Sequence, residues 1–460
     1  MTRAPGNNQR FVYPPQARGT AEQDDGGHAT QPDPVTLAPM EEVMQRSSSH
    51  SVFLREPSLP RELSFFSSPS ITPEISMGIA MYFARHPTEL VFGSAPFFIH
   101  EMNTHVLGVL QSDVEAVGDG LCGIGSVYMY NQGCSSGLEL ALGSRIKTLA
   151  RIRKSGHEGL GRLTVEQAVA MILALVSMEL IDTHYDPAES SLGALHSAAA
   201  AMIHHFVSAG VKLSSTAKYM TRALAREDMV MSLVYRRRNL IATSVWLDDE
   251  CKASADRFMG FTMTLMPLLE ELCGLAEDAA QQNDHPVLTD LDGSLGMDGA
   301  QTKLESRAED LRTRLSLWRP PFIPTFSGPS SRKFLLHAAM YRTGALLYLH
   351  RLLHPHGSSP SHDKEACLIA YDVFAQLSPE ARDNRLALFP IFLAACEFQK
   401  DEDRRMAEEC SEAMYKSRNT YSTWVTGRFV KERVWRARDA GEDWGWMELV
   451  RRWGGECVPI

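Results

Sequence analysis

The sequence predicts an all-α fold, and three observations carry that prediction. Apolar residues recur at i, i+4, i+7 and i+8 in one segment after another, the period of a buried helix face. Helix start and stop signals stand where those stripes begin and end. No convincing alternation of apolar and polar residues marks a strand anywhere along the chain.

Residues 1 to about 72 hold nine of the 24 prolines, Gly26-Gly27, and serines at 47–49 and 67–68. That composition predicts a disordered tail. Apolar islands interrupt it at Phe11-Val12-Tyr13, Val52-Phe53-Leu54 and Leu63-Ser64-Phe65-Phe66, near Glu41, Glu42, Glu56 and Glu62. A plain linker is the simpler reading, and a segment that folds on a partner is the alternative.

A first helical lobe is expected over about 73–282. Thr164 to Gln167 spells a capping box, and Val165, Val169, Ile172, Leu173, Val176 and Leu180 follow at helical spacing. Met171, Leu175 and Met178 occupy the remaining faces, so this helix reads as core. Ser190 to Ala209 is the next helix, ended by Gly210. A loop from Gln282 to Ala300, with Gly293, Gly296 and Gly299, closes the lobe.

Residues 283–330 read as a bridge. Leu304, Ala308, Leu311, Leu315 and Trp318 mark one amphipathic helix, with Glu305, Arg307, Glu309, Asp310, Arg312 and Arg314 on its wet side. Arg319-Pro320-Pro321 stops it, and a Pro324 to Pro329 loop leads into a second lobe, 331–460. No period of 20 to 50 residues occurs, which argues against a repeat solenoid.

Near the C-terminus, Met406, Cys410, Ala413, Met414 and Ser417 share a helical face. Asp401, Glu402 and Asp403 stand at its start and Lys416 and Arg418 at its end, as the helix dipole favours. A further helix is expected through Tyr421, Trp424, Val425 and Phe429. After a break from Asp439 to Asp443, Trp446, Val450 and Trp453 form a short last face.

At 460 residues, with 44% hydrophobic and 22% charged content, the chain is long enough for a large core. A net charge of -10 and a pI near 5.9 argue against a chain that grips nucleic acid unaided. Eight cysteines, at 122, 134, 251, 273, 367, 396, 410 and 457, contain no CxxC pair and read as buried, reduced thiols. Neither a signal-peptide run nor a stretch of about 18 apolar residues occurs, so no membrane association is expected.

Candidate chemistry is sparse. His350, His354 and His356 invite a metal reading, but His354 precedes Pro355, where the helix must end. A helix-terminal histidine beside a dipole is the simpler account, and His204-His205 is weaker still. Asp248-Asp249-Glu250 resembles the aspartate-rich start of helical terpene cyclases, yet the next expected carboxylate falls at Lys252. An acidic helix start after Trp246 fits better. Arg236-Arg237-Arg238 offers nuclear import or phosphate contact, against a solvated helix edge. The seven basic residues from Lys416 to Arg438 surround the aromatic face and read as surface charge. Met259, Met263 and Met266, with Phe258, Phe261 and Leu265, read as core, and alternatively as a soft wall that admits a small effector. No GxSxG, HExxH, P-loop or GxGxxG occurs, so no catalytic, cofactor-binding or metal-ligating residue is assigned, and no cofactor.

The C-terminal landmarks come in one order: Leu388-Phe389-Pro390-Ile391-Phe392-Leu393, then Asp401-Glu402-Asp403-Arg404-Arg405, then Val434-Trp435 and Asp443-Trp444. Upstream stand Phe258-Met259-Gly260-Phe261 with Leu265-Met266-Pro267-Leu268-Leu269, and Tyr341 to Leu353 with Gly344 inside. In this order they resemble the large helical regulatory domain of fungal-specific transcription factors, from about 73 to 460 and most strongly after 330. The resemblance implies that Phe258 to Ala276 is a glycine-led helix and that Tyr341 to Leu353 is the central buried one. Such proteins usually carry a binuclear zinc cluster. Here no cysteine precedes Cys122 and the nearest two lie 12 positions apart, so no direct DNA-binding module is expected in this chain.

The resemblance therefore implies a non-enzymatic nuclear transcription regulator, controlling a metabolic or secondary-metabolite pathway. Its expected partners are other transcription regulators or a DNA-binding partner, together with a small-molecule effector. DNA would be reached through that partner or through an upstream exon encoding six close cysteines. The rivals are a helical-cavity enzyme of terpene-cyclase type and a scaffold outside the nucleus.

Overall fold

The computed structural model describes residues 71–89, 95–158, 163–184, 190–284, 297–377, 385–417 and 420–460. The expected tail and its apolar islands lie outside this set apart from Ile71 and Thr72. Among the described residues the fold is all-α, and an isolated bridge from Asp256 to Gly260 takes the place of any strand.

Six helices open the fold: α1 (Pro73–Glu89), α2 (Ala95–Ser112), α3 (Val114–Asn131), α4 (Ser135–Glu158), α5 (Val165–Ile181) and α6 (Leu192–Ser208). Helix α3 sits at their centre, against α1, α4 and α5. Glycine makes that crowding feasible: a Cβ on Gly125 would stand 1.8 Å from the Gly78 carbonyl oxygen of α1. The two backbones touch there. Helix α5 starts in the capping box, with Gln167 N donating to Thr164 Oγ1 at 3.3 Å and Thr164 N to Gln167 Oε1 at 2.9 Å. It is buried on nearly every face.

Helix α6 begins two residues later than expected and ends before Gly210, whose φ of +81° is left-handed. Val211 N reaches Phe206 O at 3.0 Å and Gly210 N reaches Val207 O at 2.9 Å, the paired bonds of a Schellman cap. Its start is capped from another helix. The buried Glu179 carboxylate of α5 accepts from Ser191 N at 2.8 Å, Leu192 N at 3.1 Å and Ser190 Oγ at 2.9 Å.

Helix α7 (Ser215–Tyr235) follows, then the short α8 (Thr243–Trp246) and α9 (Asp249–Lys252), α10 (Met266–Asp284) and α11 (Met297–Leu317). Three expectations change here. Phe258 to Phe261 is a turn, because Asp256 Oδ1 accepts from Phe258 N and Met259 N and Gly260 is left-handed at φ +53°. The helix of this segment starts only at Met266. The loop expected from Gln282 to Ala300 is helical to Asp284 and again from Met297, which puts Gly299 inside α11; Gly293 and Gly296 lie outside the described residues.

The remaining elements are α12 (Gly328–Leu353), α13 (Pro360–Ala375), α14 (Leu388–Glu397), α15 (Asp401–Ser417), α16 (Tyr421–Phe429), a π-helical stretch (Val430–Trp435), α17 (Arg436–Asp439) and α18 (Trp446–Arg452). Helix α12 starts at Gly328, so Pro329 belongs to its first turn and not to a loop, a position where the missing N–H costs nothing. All of α14 is buried against α12 and α13. On α15 the buried residues are Ala407, Cys410 and Met414; Ser417 is exposed and Arg418 lies outside the described residues. Trp424 and Trp453, expected inside, are 43% and 42% exposed, each with an arginine over its ring.

One hydrophobic cluster draws residues from Ile79 to Ile460. A smaller one gathers Phe98, Phe261 and Phe334 with Ile323, Ala338 and Leu386. Each fully buried Phe or Leu in them contributes about 1.5–3 kcal/mol.

Candidate functional site

Helix α7 carries charge through the interior, with Arg222, Arg226, Glu227 and Asp228 all buried. Burying a charge is costly unless it is paired. Arg222 Nε donates to Asp256 Oδ2 at 2.6 Å, and Asp228 accepts from Ile241 N at 3.0 Å and Arg237 Nη2 at 3.0 Å. The Asp256 carboxylate thus ties the turn after α9 to α7.

Around that pair the structure assembles a polar cluster from three elements. Helix α2 supplies Glu101 and His105, α7 supplies Tyr219 and Arg222, and the turn supplies Asp256 and Arg257. His105 stacks on Tyr219 with ring centroids 4.3 Å apart, and its Nδ1 lies 2.9 Å from Thr216 Oγ1. Arg257 is fully buried; its Nη2 donates to the Pro87 carbonyl at 3.0 Å and its Nη1 contacts Met102 Sδ. Glu101 Oε2, Tyr219 OH and Arg257 Nε find no hydrogen-bond partner among the described residues. Burial, reinforced by Asp256, pushes the Glu101 carboxyl up to about 7, against the pull of Arg222 and Arg257. The cluster therefore holds unspent hydrogen-bonding capacity, the property a small polar ligand uses.

The apolar wall of Phe258, Phe261, Met259, Met263, Leu265 and Met266 is buried. Phe258 joins it to the cluster: its ring lies 5.4 Å from that of Tyr219 and 5.6 Å from the Arg257 guanidinium carbon. Sequence reasoning named the wall and missed the polar groups beside it, because Glu101, Tyr219 and Arg257 come from distant segments.

The other sequence candidates are bound into the fold. Asp248 caps α9 by accepting from Cys251 N at 2.9 Å, and Lys218 bonds its second oxygen. That bond, with the Cys251 amide, holds its carboxyl well below the usual range. Arg236, Arg237 and Arg238 form a turn, not a solvated helix edge, and pair with Glu448 at 2.7 Å, Asp228 at 3.0 Å and Glu277 at 2.6 Å. His204 and His205 are exposed on α6.

The three histidines of α12 and its exit do not converge. His350 Nε2 lies 3.0 Å from the His362 carbonyl, and His354 stacks on His362 at 3.8 Å. His356 Nε2 lies 3.1 Å from Glu397 Oε1, a carboxylate 41 residues away in the chain and beyond the reach of any local pattern. Among the described residues no group of three or more His, Cys, Asp or Glu is arranged to hold a metal, and no helix is long and apolar enough to cross a membrane.

Of the basic residues from 416 to 438, Lys416, Arg428, Lys431 and Arg433 pair with Glu412, Glu432, Glu408 and Glu456. Arg438 is drawn inward, its guanidinium carbon 3.2 Å from the Trp444 ring centroid. A surface hollow of about 460 Å³ lies beside them, lined by Arg404, Arg405, Lys431, Trp435 and Arg436 with Asp401, Glu408 and Asp439.

A family model described as fungal specific transcription factor domain matches residues 95–455. No curated protein and no solved structure matches the chain.

Proposed function

Because the chain belongs to the fungal-specific transcription factor domain family, we propose that it acts in the nucleus as the regulatory body of a transcription regulator, reaching promoters through a DNA-binding partner. The family match carries this reading, since residues 95–455 take in every helix from α2 to α18. The net charge of -10 supports the indirect route, because phosphate contacts from Lys and Arg supply most non-specific affinity. The engagement of Arg236, Arg237 and Arg238 in ion pairs supports it too.

The effector is a small polar molecule, received where Glu101, Tyr219 and Arg257 leave bonding capacity unused. The genes controlled belong to a metabolic or secondary-metabolite pathway. On this reading the chain is not an enzyme, and Asp248 serves as a helix cap.

The test is made on the endogenous protein, by nuclear fractionation and chromatin occupancy. Recovery at promoters that depends on a second, DNA-binding protein is the expected result. A wholly cytoplasmic protein absent from chromatin would overturn the reading.

A further inference from the structure

The smaller aromatic cluster reaches the surface. Phe98, Phe261, Phe326 and Phe334 stack at centroid distances of 5.0 to 6.3 Å, and Phe97 leans on Phe326 at 5.8 Å while remaining 47% exposed. The segments that build the cluster also carry exposed apolar residues: Leu335 follows Phe334, Leu317, 72% exposed, precedes Trp318, and Phe322, 91% exposed, precedes Ile323. Phe322 is the most exposed large apolar side chain among the described residues. Its neighbour Ile323 is buried in the cluster, and Pro320, Pro321 and Pro324 stiffen the segment that presents it.

Four cations stand in the same segments. Arg332, Leu335 and Arg342 lie three and seven residues apart on α12, which places them on one helix face. Arg319 stands near Arg342, and burial together with that like charge lowers the Arg342 pKa. Lys333 completes the set. Several other arginines of this protein are matched by carboxylates, as in Arg312 with Glu309 or Arg433 with Glu456. Among the described residues none of Arg319, Arg332, Lys333 and Arg342 forms an ion pair.

Exposed aromatic and aliphatic anchors within unmatched positive charge call for a complement of apolar anchors within negative charge. We propose that the Phe97–Phe322–Leu335 rim is a docking surface for an acidic peptide segment of a partner protein that presents Phe or Leu anchors between Asp and Glu. The anchors would cover Phe322, Leu317 and Leu335, and the acids would meet the four cations. A single-stranded nucleic acid fits less well: bases could stack on Phe97 and Phe322, but four cations on a chain of net charge -10 offer few phosphate contacts. The proposal rests on this rim alone, so it stands or falls independently of nuclear location.

The test measures fluorescence polarisation of two labelled synthetic peptides on the full chain. One carries Phe and Leu between Asp and Glu, and its twin has each acid replaced by Lys. Binding of the acidic peptide is expected to be at least about tenfold tighter than that of its twin and to weaken with salt. Phe322→Ser and Arg332→Glu should each weaken it several-fold, and because both positions are exposed, neither disturbs the core; circular dichroism confirms the fold. Equal binding of the two peptides, no binding, or insensitivity to both substitutions overturns the proposal. So does preferential binding of a single-stranded oligonucleotide, or self-association in ultracentrifugation that Phe322→Ser abolishes.

Discussion

Arg351 holds Glu397 by two parallel bonds, Nε to Oε1 at 2.9 Å and Nη2 to Oε2 at 2.5 Å, with both side chains 1% exposed. The pair joins the end of α12 to the end of α14. His356 and Asp363 extend it on either side, and Trp444 lies beneath both Arg351 and Arg438.

Removing one member of that pair strands a charge in the interior. Arg351→Met should cost about 3–5 kcal/mol in urea unfolding, whereas Arg351→Met with Glu397→Met should recover at least half of the loss. Equal destabilisation by the single and double replacements would show that packing, not charge, dominates there.

Glu101 gives stability a pH dependence of definite sign. Its folded-state pKa is raised from 4.5 to about 7, so its contribution is fully present below pH 4.5 and is lost as pH rises through 7. Glu101→Gln should remove on the order of 2 kcal/mol of that decline, after allowance for partial solvent screening. Denaturant titrations at pH 4.5, 6 and 8 check it; a slope unchanged by the substitution would assign the decline to other groups.

Gly125 and Gly143 are both helical glycines with opposite expectations. Alanine at Gly125 must displace α1, because its Cβ would stand 1.8 Å from the Gly78 oxygen, and should cost more than about 3 kcal/mol. Alanine at Gly143 meets nothing within 4 Å and should stabilise by about 0.5–1 kcal/mol. Calorimetric Tm values for the two variants should move in opposite directions.

Glu179 caps α6 from α5, and Arg145 Nη2 reaches the same carboxylate at 3.3 Å. Glu179→Ala removes the carboxylate that accepts from the Ser191 and Leu192 amides and from the Ser190 hydroxyl. A loss of about 2–4 kcal/mol is expected, with faster hydrogen exchange at the start of α6.

Much of the fold was legible in the sequence, because helical period and caps are local. Thr164, Gln167 and Gly210 act where their chemistry predicted, and Leu304, Ala308, Leu311 and Leu315 form one buried face. Local reading failed where a distant group decides the outcome. Phe258 to Phe261 has helical composition, yet the Asp256 carboxylate and left-handed Gly260 bend it, and a Cβ on Gly260 would press on Phe334 at 2.9 Å. Trp424 and Trp453 looked like core anchors because tryptophan is usually buried; arginine stacking lets both remain half outside. The candidate site was the least legible, since its members stand as far apart as Glu101 and Arg257 and nothing in either neighbourhood announces the other.

The π-helical stretch Val430–Trp435 amounts to a one-residue insertion absorbed without a loop. At its end Trp435 Nε1 donates to the Ala395 carbonyl at 2.9 Å, and beyond it Arg438 Nη1 donates to the carbonyls of Glu397 and Phe398 at 3.1 and 3.0 Å. Deleting one exposed residue there would restore ordinary winding and leave the helix after it in register, whereas a deletion within α16, just before it, would turn everything after it by about 100°. Both donors would then swing away from the α14 carbonyls together. The chain's length is thus under tighter constraint through α16 than through this stretch, where Lys431 or Glu432, both exposed, can be lost as well as exchanged.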